Sequence, residues 1–255
     1  MRILLVGDFA GSFPEGLLRN IDKETFDVVL STGDFVDVKR IGDLFRMYGP
    51  DYKKKIREDE LFKIGMEGVE KAKTPLSILN KFGENAPVYI VGGNNEDVMW
   101  KEFEEKVAEY PNLKLLKNDP VQIKKFTLVG WWGKEAASNV DDNLEENKKE
   151  LSKTLEQIKE AKNSILLTHF PPYNCKFDIV NDKGNFNHGK HVGSKLVKFA
   201  IDKHKVPMVI CGHMEEYQGE CFANARIINP GSAEKEKYAI LELNSSIEKA
   251  KLSFH

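Results

Sequence analysis

Short apolar runs of strand length recur along the chain, and a polar side chain closely follows each of them. The runs read ILLV, VVL, VYIV, ILL and MVIC, and the polar residues that follow them are Asp8, Asp34, Asn94, His169 and His213. Continuous apolar runs separated by polar, helix-like stretches are typical of buried parallel strands that helices connect. Because ligand groups gather beyond the carboxyl ends of such strands, we predict that these five side chains converge on one metal site. Glycines stand before most of them and are expected to make the tight turns at the strand ends.

Weaker patterns complete the predicted α/β fold class. Helical periodicity with many charged residues indicates helical insertions around residues 40–85 and 140–163. Apolar and polar residues alternate over residues 121–131 and 226–254, which predicts antiparallel strands in a second sheet or in an extension of the first. No repeat or linker marks a boundary, so we expect a single domain over residues 1–255.

Composition narrows the classes of partner and location. The 255 residues include 38 Lys plus Arg and 40 Asp plus Glu, so no strong net charge favours nucleic acid or an anionic membrane surface. The apolar runs are far shorter than the roughly 20 residues of a membrane span, and no signal peptide is expected. The 3 cysteines show no C-x-x-C spacing, which predicts neither a disulfide framework nor a thiolate zinc site. We therefore expect a cytoplasmic protein.

The order of the motifs resembles the calcineurin-like metallophosphoesterases. That family's pattern is Asp-x-His, Gly-Asp-x-x-Asp, Gly-Asn-His-Asp/Glu, a lone His and Gly-His-x-His, and the corresponding segments are GDFAG, GDFVD, GNNE, THFPPY and GHMEE. The resemblance spans Asp8 to Glu215, and the later INPGS and KYAILEL are similar to the family's C-terminal part. It implies a four-layer α/β/β/α fold, in which a mixed-sheet β-sandwich is flanked by helices, with two metal ions roughly 3.5 to 4 Å apart.

One of the two metal positions implied by the resemblance is complete in this sequence. Carried over residue by residue, the resemblance implies that Asp34 bridges both metals. The first metal would also bind Asn94, His169 and His213. All of these offer the oxygen or nitrogen atoms that divalent cations bind.

The other position departs from the family pattern. The resemblance assigns it Asp8 and two histidines, but Ala10 stands where the first histidine belongs and Glu215 where the second does. Because alanine offers no donor and glutamate offers oxygen, we expect one or two ions, with Mn²⁺, Fe²⁺ or Mg²⁺ favoured over Zn²⁺. Asn95 replaces the family's histidine beside the phosphate, and it can donate a hydrogen bond but cannot deliver a proton.

The implied function is a metal-dependent phosphoesterase that hydrolyses a phosphate mono- or diester with a metal-activated hydroxide. The alternative is a catalytically impaired binding or scaffold protein with the same fold. A small phosphate ester or a phosphoprotein is the expected substrate. His191 and Tyr173 are candidates for contacting it, although His191 in NHGKHVGS also fits an ordinary exposed loop. A narrow apolar helix face is compatible with a homodimer.

Overall fold

The computed structural model describes residues 1–48, 51–132, 143–158, 160–183, 187–244 and 246–255. Within these ranges the chain forms two six-stranded sheets. The strands are β1 (Arg2–Val6), β2 (Val28–Ser31), β3 (Val88–Ile90), β4 (Leu113–Leu115), β5 (Pro120–Ile123), β6 (Phe126–Trp131), β7 (Ser164–Thr168), β8 (Met208–Ile210), β9 (Gly219–Phe222), β10 (Arg226–Asn229), β11 (Ala239–Glu242) and β12 (Lys251–Phe254).

Along the sequence, the helices connect successive parallel strands. Within the same described ranges the α-helices are α1 (Glu15–Ile21), α2 (Lys39–Tyr48), α3 (Tyr52–Lys55), α4 (Glu58–Phe82), α5 (Trp100–Ala108), α6 (Leu144–Leu155) and α7 (Lys195–His204). Helices α2 to α4 occupy the region predicted around 40–85, and α6 occupies part of the region predicted around 140–163. Residues 49, 50, 140–142 and 159 of those regions lie outside the described residues. The single-domain organisation stays a prediction.

Both sheets mix parallel and antiparallel strands. The first has the order β12-β11-β1-β2-β3-β4. Strands β1 to β4 pair in parallel, whereas β11 pairs antiparallel with both β1 and β12. The second has the order β5-β6-β7-β8-β10-β9, with β6, β7, β8 and β10 parallel and antiparallel strands at both edges. Apart from β4, which is an edge strand of the first sheet, the parallel strands lie inside the sheets, where both of their faces can be covered.

The layers are visible in the apolar clusters to which neighbouring strand residues belong. Leu4 packs with α1, α4 and α5, whereas Leu5 points the other way, into the cluster between the two sheets. Leu167 joins that central cluster, and Leu166 packs with α6 and α7 on the far side. Successive residues of one strand point to opposite faces, so strands buried on both faces need continuous apolar runs. The predicted α/β fold, a mixed-sheet β-sandwich flanked by helices, is confirmed.

One expectation about long apolar segments can be compared directly with the helices. Among the described residues, no helix is both long enough and apolar enough to cross a bilayer. The longest helix, α4, spans Glu58–Phe82 and carries charged residues along its length.

Candidate metal centre

The carboxyl ends of five strands from both sheets meet at one edge of the sandwich. Asp8 follows β1, Asp34 follows β2, Asn94 follows β3, His169 follows β7 and His213 follows β8. Ligand atoms of Asp8, Asp34 and His169 all lie within 4.8 Å of one another, and all three residues are buried. The backbone N–H of His213 donates to Asp8 Oδ1 at 2.9 Å across 205 positions of sequence. The two-sheet architecture therefore brings together side chains from opposite ends of the chain.

His169 is at the centre of this group. Its Nε2 atom lies 2.9 Å from Asn94 Oδ1, 3.4 Å from Asp34 Oδ1 and 3.2 Å from His213 Nδ1. Atoms that bind one ion at about 2.0 to 2.2 Å lie at such spacings from one another. His169 Nε2 thus lies within 3.4 Å of one possible metal-binding atom from each of the other three residues.

The protonation of His169 follows from its other ring nitrogen. Nδ1 lies 2.8 Å from the carbonyl oxygen of Thr32, to which it can only donate, so in the neutral ring Nε2 carries a lone pair. Asn94 donates from Nδ2 to Asn95 Oδ1 at 3.1 Å, which turns its own Oδ1 towards His169. The Nε2 lone pair of His169 and the Oδ1 atoms of Asn94 and Asp34 therefore lie close together. A divalent cation among them would bind all three.

Burial sets the charge of the same groups. Burial, aided by the neighbouring charge of Asp34, raises the pKa of Asp8 well above its usual range. Burial raises the pKa of Asp34 to about 7. Burial also lowers the pKa of His169 to about 4 and that of His213 well below its usual range, so both imidazoles are neutral near pH 7. Ionised carboxylates that are buried beside neutral imidazoles destabilise the folded chain when no cation is present. A bound cation would stabilise their charge.

The backbone at the strand ends corrects one expectation. Gly33 has a positive φ of 98°, but Asp8, Asp34 and His213 themselves adopt the left-handed region, with φ of 55°, 55° and 68°. Aspartate and histidine are among the few residue types enriched in that region. The ligand-bearing residues therefore make turns that the sequence pattern assigns to the glycines before them.

The other glycines provide space. A Cβ atom on Gly93 would lie 2.1 Å from Asp34 Oδ1, and one on Gly212 would lie 2.4 Å from Asp8 Oδ2. Both distances are far below van der Waals contact. These two glycines let the backbone approach the carboxylates closely.

Glu96 is a site residue to which the sequence analysis gave no role. Its carboxylate is fully buried and accepts hydrogen bonds from the backbone N–H groups of Asp34 at 3.1 Å, Phe35 at 2.7 Å and Val36 at 2.9 Å, as well as from Gly93. Burial, together with the charge of Asp34, raises the pKa of Glu96 to about 8. Glu96 thus fixes the loop that carries Asp34. Its place as the fourth residue of GNNE was the available signal.

Asn95, our candidate for a catalytic contact, is engaged with the protein. Its Nδ2 donates to the carbonyl of Val36 at 3.1 Å, its Oδ1 accepts from Asn94 Nδ2, and its backbone N–H donates to Asp34 Oδ1 at 3.0 Å. The residue is 9% exposed. In this arrangement Asn95 holds neighbouring loops together, and a catalytic role for it stays a prediction.

The second predicted metal position is less complete. Ala10 offers only its backbone N–H, which donates to the carbonyl of Asp34 at 2.9 Å. The Glu215 carboxylate lies 3.0 Å from Lys235 Nζ, and its side chain is 43% exposed. Its charge adds to the effect of burial in raising the pKa of both Asp8 and Asp34, which places it on their side of the site. Asp8 is the one buried donor that belongs to this position alone.

His191 and Tyr173 lie on two loop segments that pair beyond β7. Pro172 and Ser194 form a parallel bridge between these segments. His191 Nδ1 lies 2.6 Å from Oδ1 of Asp178, which is fully buried, and the rings of His191 and Tyr173 are 5.7 Å apart. His191 is exposed and is oriented by a buried carboxylate, so its contact with a substrate stays a prediction beside the alternative of an ordinary loop residue. Residues 184–186 of the same loop lie outside the described residues.

Comparisons with known proteins agree with this arrangement of strands and motifs. A model of the calcineurin-like phosphoesterase family matches residues 1–217. An uncharacterised protein of Methanocaldococcus jannaschii is 27% identical over 170 residues, which cover 65% of this chain and 70% of that protein. One solved crystal structure has a TM-score of 0.69 at 17% identity, covering 100% of this chain and 98% of its own. Protein TT1561 of Thermus thermophilus has a TM-score of 0.57 at 15% identity, covering 99% and 97%.

Proposed function

Because this chain belongs to the calcineurin-like phosphoesterase family, we propose that it is a metal-dependent hydrolase of phosphate esters. The observation that carries the proposal is the group of oxygen and nitrogen atoms around His169 Nε2, contributed by Asp34, Asn94 and His213. Uncharged imidazoles and buried carboxyls at such spacing serve poorly as a purely structural core. They suit a divalent ion.

These four residues would hold the ion. Their mixed oxygen and nitrogen atoms, and the absence of sulfur among them, favour Mn²⁺, Fe²⁺ or Mg²⁺ over a thiolate-bound metal. When bound, a divalent ion polarises a phosphoryl oxygen and lowers the pKa of a water molecule. The protein contributes the orientation: Thr32 fixes the tautomer of His169, and Glu96 fixes the backbone of Asp34.

The substrate side of the proposal rests on the loops beyond β7. His191, held by the buried Asp178, and the neighbouring Tyr173 would contact a small phosphate ester or a phosphorylated side chain. Because Asn95 has its side chain bonded within the protein and cannot release a proton, esters with good leaving groups should react faster than alkyl phosphates.

Activity with and without metal tests the proposal. Protein stripped with a chelator should regain hydrolysis of p-nitrophenyl phosphate or bis-p-nitrophenyl phosphate when Mn²⁺ is added. Asp34→Asn should abolish this gain, whereas Asp202→Asn should retain it. The control carboxylate lies on α7, where it pairs with Lys198 at 2.7 Å. Absence of hydrolysis with every divalent metal would refute an enzymatic function.

The second candidate function is a binding or scaffold protein with a damaged site. The observation in its favour is the weak second position, where Ala10 lacks a donor and Glu215 is paired with Lys235. Replacing Ala10 and Glu215 with histidine would restore the family's donors. If the wild type is inert and this double variant hydrolyses the substrate, the natural chain is a binder; turnover by the wild type contradicts that alternative.

A further inference from the structure

The loop after β10 lies against the second metal position. Ser232, which is fully buried in this loop, donates from Oγ to the carbonyl oxygen of Asp8 at 3.0 Å. Asn229, at the end of β10, is also buried and donates from Nδ2 to the carbonyl oxygen of Met214 at 3.3 Å. The loop is therefore fixed both to the turn that carries Asp8 and to the segment after β8 that carries Glu215.

Lys235, from the same loop, makes two contacts with Glu215. Its Nζ lies 3.0 Å from Oε2 of the carboxylate and donates to the carbonyl oxygen of the same residue at 3.4 Å. Glu215 stands where the family pattern has its last histidine. Burial, together with the charges of Asp34 and Glu215, raises the pKa of Asp8, which indicates that the ion pair lies near that carboxyl. A lysine cation is thus bound to the residue that would otherwise serve as a metal ligand.

The side chains at this position do not fit a second metal ion. Ala10 offers no side-chain donor. Among the described residues, the potential ligand atoms that lie within 4.8 Å of one another belong to Asp8, Asp34 and His169. Glu215 is not among them, so Asp8 is the one carboxylate that a second ion would not share with the first. Catalytic zinc sites, by comparison, supply three protein ligands.

The ammonium group of Lys235 keeps a donor for a ligand. An ammonium has three N–H donors, and the contacts with Glu215 use two of them, so within the described part of the chain one remains. Glu234, the neighbouring acid, pairs with Lys39 at the start of α2 and does not draw the ammonium away from Glu215. The side chain of Lys235 is 49% exposed, so it is accessible from solvent while Glu215 holds it in place.

We propose that the ammonium group of Lys235 takes the place of the second metal ion and binds the phosphoryl group of the substrate. This inference rests on the proposed phosphoesterase function. Lysine binds phosphate as a point charge, and a cation at this place neutralises charge on a phosphoryl oxygen. Glu215 is then a positioning residue, which orients the ammonium and does not itself touch the substrate.

Titrations with Mn²⁺ and then with inorganic phosphate test this role without turnover. Metal-free wild type should bind one Mn²⁺ per chain at saturation, and the loaded protein should bind phosphate. Lys235→Met should keep the single ion but lower phosphate affinity by about 10-fold or more, because a hydrogen bond to a charged group is lost. Lys235→Arg should retain phosphate affinity within about 3-fold, since a guanidinium also pairs with phosphate.

Lys198→Met is the matched control, because it removes a lysine that is paired with Asp202 on α7. It should leave the affinities for Mn²⁺ and phosphate unchanged. Two ions per wild-type chain would overturn the proposal without reference to any variant, and so would an unchanged phosphate affinity in Lys235→Met. A wild type that binds no divalent ion would refute the proposed function and this inference with it, so the two failures are distinguishable.

Discussion

The two halves of the metal centre differ in how far the protein prepares them for a cation. Around His169, the donors converge, the imidazole tautomer is fixed by Thr32, and the backbone of Asp34 is held by Glu96. Asp8 is buried and accepts the backbone N–H of His213, but the other two positions beside it are weak, since Ala10 has no side-chain donor and the Glu215 carboxylate is paired with Lys235. The same edge of the sandwich thus has two halves. The prepared half consists of Asp34, Asn94, His169 and His213, and the unprepared half consists of Asp8, Ala10 and Glu215. The two halves should therefore differ in how much each contributes to metal affinity and to stability.

Removing a donor from the prepared half should have the largest effect. His169→Ala eliminates the nitrogen to which the other donors converge, so we expect Mn²⁺ affinity to fall by at least about 100-fold, above what supporting residues typically contribute. Glu215→Ala should change it by less than about 3-fold, because the carboxylate is half exposed and ion-paired. Isothermal titration of metal-free protein measures both. Equal losses in the two variants would mean that the halves contribute alike.

Glu96→Gln should weaken the prepared half without removing a ligand. An amide places its own N–H₂ group against the backbone donors of the Asp34 loop, and at least one of those donors loses its acceptor. We expect a loss of about 10- to 100-fold in Mn²⁺ affinity, measured by titration. Glu67→Gln, which alters an exposed partner of Arg40, is the control and should leave affinity unchanged. An unaltered affinity in Glu96→Gln would show that the loop holds Asp34 without this carboxylate.

The stability of metal-free protein should fall as the pH rises from about 6.5 to about 8. Folding raises the pKa of Asp34 from 3.8 to about 7 and that of Glu96 from 4.5 to about 8. The folded chain therefore keeps protons that the unfolded chain has lost, and this advantage disappears as the pH rises. His169 acts in the opposite direction, but only below its unperturbed pKa of 6.5. The expected decrease in unfolding free energy is on the order of 2 kcal/mol.

Urea unfolding in the presence of EDTA measures this decrease. Saturating Mn²⁺ should remove it, because an ion that binds only the folded chain stabilises it most where the carboxyls are ionised. A flat dependence on pH in EDTA would contradict the buried charges assigned to the prepared half.

The smallest effect is expected at the exposed ion pair. Lys235→Ala breaks the contact with Glu215, but both side chains are more than two-fifths exposed, at 49% and 43%. We expect the unfolding free energy to change by less than about 1 kcal/mol. A second variant combines Lys235→Ala with Ala10→His and Glu215→His. Metal analysis of that variant should show a second ion per chain, because both donors are then supplied. A large loss of stability from Lys235→Ala alone would show that the unprepared half is more tightly built than its exposure indicates.

Much of the fold could be predicted because both faces of the central strands are covered. Leu4 and Leu5 point into different clusters, so burial leaves no room for polar alternation, and the apolar runs stand out in the sequence. The polar residue after each run then marks the edge where the strands end. These local signals are strong because each is set by a few consecutive residues.

The missing parts depend on contacts between distant segments. Glu96 accepts hydrogen bonds from backbone N–H groups about sixty residues earlier, and its place in GNNE marks the residue but not these partners. The pairing of His191 with Asp178 follows from a loop whose return path the sequence does not specify. The ion pair of Glu215 with Lys235 also joins separate segments, because Glu215 lies between β8 and β9 and Lys235 lies after β10. Such contacts become visible only in three dimensions.

The left-handed backbone at the strand ends restricts which residue types can occupy these positions. Ala10, with φ of 47°, occupies the same region as Asp8 and His213 but has neither their enrichment in it nor a donor atom. The chain therefore lacks a metal-binding side chain at this position while having the main-chain shape that suits one. Because histidine is enriched in this region, Ala10→His is compatible with the backbone conformation that position 10 already has.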